Sequence, residues 1–292
     1  MALDMERQAA DLPSMPLPEP LPGPVAFVGS GDSYVAGLAA YYLSGRASCH
    51  HPADIIADPL IARGRTACFV SVSGRTRANI LAAQAAHRAG LHTMAVTADP
   101  SSALAKACDG VVKLSFCSAG KTSGTISFTA SLLACAWLAA RIACPIDAKD
   151  IYKNAGRNAA RIANRIGSRS VVILGDSLFY PAAMYGALKF NEVLGSRAVA
   201  YPLEDFFHAP LFGAKRNDRI IAVGNNSKPA ALLKKAGLKS FHIDCKGTEI
   251  DSLLHAVLSM QHLVLQIAKK QKREECYFMK DKKLRVSSSF IY

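Results

Sequence analysis

No apolar run in this chain reaches the roughly 18 residues that a membrane-spanning helix requires. The most apolar segment, Ile126 to Ala143, is broken by Ser127, Thr129, Ser131 and Arg141, and reads as a buried helix. The N-terminus carries Asp4, Glu6 and Arg7 with no apolar core, so no secretion signal is expected. The eight cysteines, at 49, 68, 108, 117, 135, 144, 245 and 276, form no Cys-x-x-Cys pair. Several lie inside apolar runs, as thiols of a reducing cytosol do, and a cytoplasmic location is expected. Neither a metal nor another cofactor is expected. The basic residues lack interleaved aromatics and match no nucleic-acid-binding motif, so no nucleic-acid partner is expected.

What is present is a folded, basic chain. Half of its 292 residues are hydrophobic, 20% are charged and the formal net charge is +13. That length suits one large domain or two of ~150 residues. Much of the positive excess lies between Lys269 and Lys283 and reads first as solvated surface; a preference for anionic small molecules also fits it.

The most informative stretch runs from Ala67 to Ala89. An apolar β-type run, Ala67 to Val70, leads into Ser71-Val72-Ser73-Gly74-Arg75-Thr76, and a helical pattern starts at once with Arg77. Strand, hydroxyl-rich turn and helix start together suit a phosphate, because free first-turn N–H groups and the helix dipole favour an anion. Ser71, Ser73 and Thr76 add hydroxyl donors, and Gly74 permits a tight turn. The plain alternative is that Ser73 or Thr76 caps the helix. A second small, polar strand-to-helix turn, Gly29-Ser30-Gly31-Asp32-Ser33, follows the strand Val25 to Gly29.

In chain order, Met1 to Ala10 reads as a short helix and Asp11 to Pro24 as a proline-rich arm. Ile55-Ile56-Ala57 reads as a short strand. Strands at His92 to Thr97 and Val111 to Leu114 alternate with helices. The β-α-β-α repetition implies a parallel sheet covered on both faces, with ligands at the carboxyl ends of its strands. A polar bridge, Ser118 to Thr125, precedes the buried helix, and a basic helix, Ile146 to Ile166, leads to a second series. Its strands are Ser170 to Gly175, Arg197 to Tyr201, Arg219 to Val223 and Ser240 to Ile243. Its helices include Tyr180 to Leu194 and Asp251 to Lys270. Gly175-Asp176-Ser177 echoes Gly31-Asp32-Ser33, which suggests an internal duplication. The second half lacks Ser-x-Ser-Gly-x-Thr and carries Glu192 and Glu204-Asp205-Phe206-Phe207-His208-Ala209-Pro210 in its place.

These motifs, in this order, resemble the tandem sugar isomerase (SIS) family, and among its members the isomerase half of glucosamine-6-phosphate synthase. The first copy resembles it in residues 29–34, 71–76, 95–97 and 102–105, the second in Gly186-Ala187-Leu188-Lys189-Phe190-Asn191-Glu192 and in residues 204–210. The resemblance covers roughly residues 20 to 290. It implies an α/β fold of two SIS domains, each a parallel sheet flanked by helices in a flavodoxin-like three-layer sandwich. The expected divisions are an arm at 1–24, a phosphate-binding domain at 25–145, a linker helix and catalytic domain at 146–275, and a tail over the active site at 276–292. It also implies a homodimer that binds a phosphosugar between the copies. Asp32, Ser33, Ser71, Val72, Ser73, Thr76, Ser123, Lys189 and Arg285 are then substrate-binding, and Glu192, His208 and Lys283 catalytic.

The residue types agree with such chemistry. Aldose–ketose isomerisation moves a proton between adjacent carbons, which a carboxylate such as Glu192 can do once burial raises its pKa. Ring opening needs a group that exchanges protons near neutral pH, and His208 suits. Lys189, one helical turn before Glu192, shares its face and can steady it or a developing oxyanion; the two also read as an ordinary helical ion pair. Departures from the synthase limit the resemblance. No glutaminase segment precedes the arm, so synthase activity is not expected. Tyr185 stands where the synthase has a further glutamate, its Ser-Thr-Lys reads Gly124-Thr125-Ile126, and its His-Gly-Pro reads His208-Ala209-Pro210. Its Schiff-base lysine corresponds to Arg285, or to Lys283 after a small shift, and an arginine forms no such base. Three functions stay open: phosphosugar aldose–ketose isomerase, amino-sugar-phosphate deaminase or deglycase, and non-catalytic phosphosugar sensor. The arm leaves no room for the helix-turn-helix that sensors of this family usually carry.

Overall fold

The computed structural model describes residues 1–118, 123–145, 147–167, 169–280 and 286–292. It is an α/β structure with two parallel sheets flanked by helices. The chain divides into two compact units. Residues 10–120, 124–144 and 283–292 form the first-sheet unit, and residues 1–9, 121–123 and 145–282 form the second-sheet unit.

Helix α1 (Ala2–Asp11) opens the chain, with Met5 and Gln8 buried in the second-sheet unit. The proline-rich segment after it belongs to the first-sheet unit. In chain order that unit holds β1 (Val25–Val28), α2 (Asp32–Ser44), β2 (Ser48–His50), α3 (Pro52–Ala57), β3 (Thr66–Val70), α4 (Arg77–Arg88), β4 (Thr93–Thr97), α5 (Ala103–Lys106), β5 (Gly110–Lys113) and α6 (Ile126–Ala140). The indole N–H of Trp137 on α6 donates to the Pro18 carbonyl at 2.8 Å and pins the proline segment down.

All five strands are parallel, in the order β2-β1-β3-β4-β5, which is the flavodoxin order. Period-two alternation fills both faces. Ala26, Val28, Ala67, Phe69 and Ala95 pack with Ile55, Ala82, Ala83 and Ala86 on one side. Phe27 points to the other, where α2 comes so close that a Cβ on Gly37 would lie 2.6 Å from Phe27 Cβ. Each large side chain buried this way contributes ~1.5–3 kcal/mol. The strand expected at Ile55 to Ala57 is instead part of α3. Pro52 fits a first helical turn, and the Asp54 carboxylate accepts the His51 N–H at 2.9 Å, so local capping overrides β-branching. The neighbouring edge strand, β2, lies a few residues earlier.

The second-sheet unit holds α7 (Ala148–Ile166), β6 (Val171–Gly175), α8 (Tyr180–Leu194), β7 (Ala198–Pro202), α9 (Leu203–His208), α10 (Pro210–Gly213), β8 (Arg219–Gly224), α11 (Lys228–Lys235), β9 (Lys239–Asp244), α12 (Glu249–Lys270) and α13 (Tyr277–Lys280). Its four strands are parallel in the order β7-β6-β8-β9. One face packs Val172, Leu174, Ile220, Phe206, Leu233 and Leu238. On the other, Ile173 meets α8, where Gly186 leaves room for Met260 of α12. Helix α12 starts with a capping box between Thr248 and Asp251 and packs on α7 and α8. Although it holds no unbroken apolar run of membrane-spanning length, it is the one helix among the described residues that is long and apolar enough on average to cross a membrane, and most of it is buried inside its unit. The exposed helix α14 (Val286–Ile291) ends the chain in the first-sheet unit.

Candidate active site

In the first-sheet unit, β1 and β3 are neighbours, and the connections that leave them run to opposite sides of the sheet. Such a reversal opens a crevice at the carboxyl ends of the two strands. Both hydroxyl-rich turns lie there. The turn after β3 is rigidly supported. The Asn79 amide donates to the Val70 carbonyl at 2.7 Å, and the Val72 carbonyl accepts from Thr97 Oγ1 at 3.1 Å and from the Ala98 N–H at 3.0 Å. Gly74 sits at φ +60°, and a Cβ there would lie 2.0 Å from Ser102 Oγ. Only glycine fits that position.

Ser71 is buried, and its hydroxyl lies 3.1 Å from that of Thr76. Ser73 Oγ accepts the Arg75 N–H at 3.3 Å. Thr76 occupies the N-cap of α4 but makes no side-chain cap. The plain capping reading therefore does not hold: among the described residues no side chain satisfies the first-turn N–H groups of α4, and the Ser71 and Thr76 hydroxyls are turned toward one another. Donors of this kind attract an anion. After β1, the Ser33 N–H donates to the Ser30 carbonyl at 3.2 Å and starts α2. Asp32 lies against Gly124, where a Cβ would come within 2.6 Å of its Oδ2.

The second-sheet unit carries a different group of polar side chains. Glu192, near the end of α8, accepts from Lys189 Nζ at 2.6 Å and from Ser123 Oγ at 2.7 Å, both at Oε2. Lys189 is completely buried, whereas the Glu192 side chain is 36% exposed. Its second oxygen, Oε1, makes no hydrogen bond among the described residues, so the carboxylate is oriented by two donors and open on one side. Lys189 Nζ also lies 5.2 Å from the centre of the Tyr185 ring. The Tyr185 hydroxyl accepts from the Gln261 amide at 3.1 Å, and Gln261 in turn accepts from Gln8 at 2.7 Å. A buried polar chain thus runs from α1 through α12 and α8 to Glu192. The sequence reading missed Gln261 and Gln8. Gln261 falls on the same helical face as Leu254, Val257, Leu258 and Val264, and that was the available signal, because a buried amide must find partners.

His208 is not part of this group. It ends α9 with its side chain 75% exposed, and its ring nitrogen lies 3.7 Å from Glu204, itself 87% exposed. Among the described residues it makes no contact with Glu192. Ser123 was expected to bind substrate; in the structure it bonds the carboxylate. Lys283 and Arg285, the two C-terminal basic candidates, lie outside the described residues. In the segment before them, α13 places the Tyr277 ring against Gly195 at the end of α8. The cysteines are free, and burial pushes the Cys49 and Cys108 thiols up to about 12. They are poor nucleophiles. No group of three or more metal-ligating side chains occurs among the described residues.

No family model matches the chain. Among curated proteins it is 31% identical over 215 residues to the glutamine–fructose-6-phosphate aminotransferase (isomerizing) of Zymomonas mobilis, a match that spans 64% of this chain and 35% of that protein. The chain thus spans about a third of the length of that relative. Among solved structures, glucosamine-6-phosphate deaminase from Thermotoga maritima superposes with a TM-score of 0.72 at 21% identity, covering 93% of this chain and 91% of that one. Tagatose-6-phosphate ketose/aldose isomerase from Escherichia coli superposes with a TM-score of 0.64 at 16% identity, covering 85% of this chain and 82% of that one. The chain has the fold that these two structures share. In this fold, the strand-end turns and the α8 carboxylate described above are the residues with chemistry to offer.

Proposed function

We propose that the protein is a phosphosugar isomerase with two SIS repeats, which interconverts an aldose and a ketose phosphate through an enediol. The observation that carries this reading is Glu192. A buried ammonium and a serine hydroxyl hold one carboxylate oxygen, and the other is left to meet a substrate. A carboxylate fixed in this way can take the proton from one carbon and return it to the next. Lys189 can share a developing negative charge through the same contact. The hydroxyls of Ser33, Ser71, Ser73 and Thr76, with the backbone of Asp32 and Val72, take the phosphate. His208 serves ring opening from a second copy of the chain, a role that suits its exposure. The reading includes a homodimer, a cytoplasmic location, no cofactor, and a C-terminal contribution from Lys283 or Arg285.

A second reading, deamination of an amino-sugar phosphate, is favoured by the likeness to the Thermotoga maritima deaminase. One experiment separates the two. A panel of hexose, pentose and amino-sugar phosphates is incubated with the protein in D2O and followed by NMR and by ammonia release. Isomerisation predicts interconversion with deuterium entering at C2 and no ammonia; ammonia from glucosamine-6-phosphate establishes the second reading. Glu192→Gln keeps the shape and removes the base. It is expected to lower kcat by about 10²–10⁴-fold with substrate binding near normal. Turnover within a few-fold of the parent refutes the role of Glu192.

A further inference from the structure

The second sheet repeats the geometry of the first at the position where the first carries its hydroxyl turns. Gly29 and Gly175 are tied to the following helix in the same way. A Cβ on Gly29 would lie 2.8 Å from Ser33 C and 2.9 Å from Tyr34 N, and one on Gly175 would lie 2.6 Å from Phe179 C and 2.9 Å from Tyr180 N. This match pairs Gly31 with Ser177, both at positive φ, and Ser33 with Phe179. It is offset by two residues from the echo visible in the sequence. Strand register extends the match. Val28 faces Phe69 in the first sheet, and Leu174 faces Ala222 in the second, so Ser71 corresponds to Gly224. Two of the hydroxyl positions in the first sheet are a phenyl ring and a glycine in the second.

The crevice itself remains. A cavity of about 340 Å³ lies at the carboxyl ends of β6 and β8, the point where the strand order reverses. Leu178, Phe179 and Leu203 wall it. Asp176, Asn225 and Asn226 stand at its edge, and among the described residues no lysine or arginine lines it. The side chains of Asp176 and Asn225 make no hydrogen bond among the described residues. Ser177, also in the lining, holds φ +44°, a conformation that a residue with a side chain keeps only where its surroundings impose it.

This chemistry excludes a phosphate and fits a ring. A carboxylate with no neighbouring cation in the lining repels an anion. Apolar walls favour a flat, uncharged group. A primary amide offers a donor and an acceptor side by side, which matches the edge of a purine base, and a carboxylate accepts hydrogen bonds from sugar hydroxyls. We propose that this crevice is a second ligand site that takes an uncharged nucleoside. The base lies against Phe179 and Leu203 and pairs with Asn225, and Asp176 accepts from the sugar hydroxyls. The crevice shares no residue with the Glu192 group or with the hydroxyl turns, so the inference stands or falls independently of the isomerase reading.

Adenosine is the probe, titrated into the full chain and followed by calorimetry and saturation-transfer NMR. Binding with a Kd below about 1 mM is expected. Asn225→Asp and Asp176→Ala change only exposed side chains, and each is expected to weaken binding by about tenfold or more. Inorganic phosphate is expected not to compete. Circular dichroism checks that the variants fold; should either variant misfold, Leu203→Trp, which fills the cavity from its wall, replaces it. Absence of adenosine binding, equal binding by the folded variants, or displacement by inorganic phosphate overturns the proposal.

Discussion

The Lys189–Glu192 pair makes an asymmetric prediction about stability. Both Glu192→Gln and Lys189→Met break the ion pair, but they leave different residues behind. Glu192→Gln removes the anionic partner of a cation that is completely buried. The new amide oxygen still accepts from Lys189, so the loss is that of a charged partner, ~1.5–3 kcal/mol, and not the full cost of an orphaned buried charge. Lys189→Met replaces the ammonium with an apolar chain of similar volume and leaves a carboxylate that is 36% exposed and still bonded to Ser123. Water reaches that group, so this change is expected to cost less than about 1 kcal/mol. In the Lys189→Met background, Glu192→Gln is then expected to be nearly neutral, giving a coupling of ~1–3 kcal/mol in the double-mutant cycle. Urea unfolding followed by circular dichroism measures this. With a slope of ~1–3 kcal/mol/M, Glu192→Gln moves the midpoint of the second-sheet unit down by about 1 M and Lys189→Met by a few tenths. The reasoning is refuted if Lys189→Met destabilises as much as Glu192→Gln, or if the two changes add.

Other tests bear on the remaining residues. Ser73→Ala with Thr76→Ala is expected to weaken phosphosugar binding by ~1–3 kcal/mol in calorimetry, from lost hydrogen bonds to a charged group; unchanged affinity moves the phosphate elsewhere. His262 packs against the Tyr152 ring, and burial lowers its pKa from 6.5 to about 4. The unfolded chain therefore binds the extra proton first, so the contribution of His262 is fully present above pH 6.5 and is lost as the pH falls toward 4. His262→Gln is expected to flatten the fall in Tm across that window, and an unchanged slope assigns the acid sensitivity to other groups. Mixing inactive Glu192→Gln and inactive His208→Ala chains is expected to restore part of the activity through mixed dimers; sedimentation as a monomer at working concentration rules that out.

Features written in short stretches of sequence were legible before any coordinates. The Ala67 to Thr76 strand and turn, the Arg77 helix and the Lys189–Glu192 spacing all follow from periods of about 2 and 3.6 residues and from turn chemistry. So did the alternation of strands and helices that implies parallel sheets. Ile55 to Ala57 was misread because three residues in a β-type run are a weaker signal than a proline and a capping carboxylate next to them. The echo of Gly31-Asp32-Ser33 in Gly175-Asp176-Ser177 was a coincidence of letters: glycine contacts with the next helix pair Gly29 with Gly175, Gly31 with Ser177 and Ser33 with Phe179.

The sequence alone therefore determined most element types, the parallel strand order of each βαβ unit and the positions of the hydroxyl turns, because each depends on neighbours within one or two turns of chain. Tertiary structure alone decided that Ser123 meets Glu192 across 69 positions, that Gln8 and Gln261 join the chain behind Lys189, and that His208 stands in solvent. Those outcomes depend on how helices dock on a sheet, and a shift of one residue along a helix turns a side chain by about 100° away from its partner.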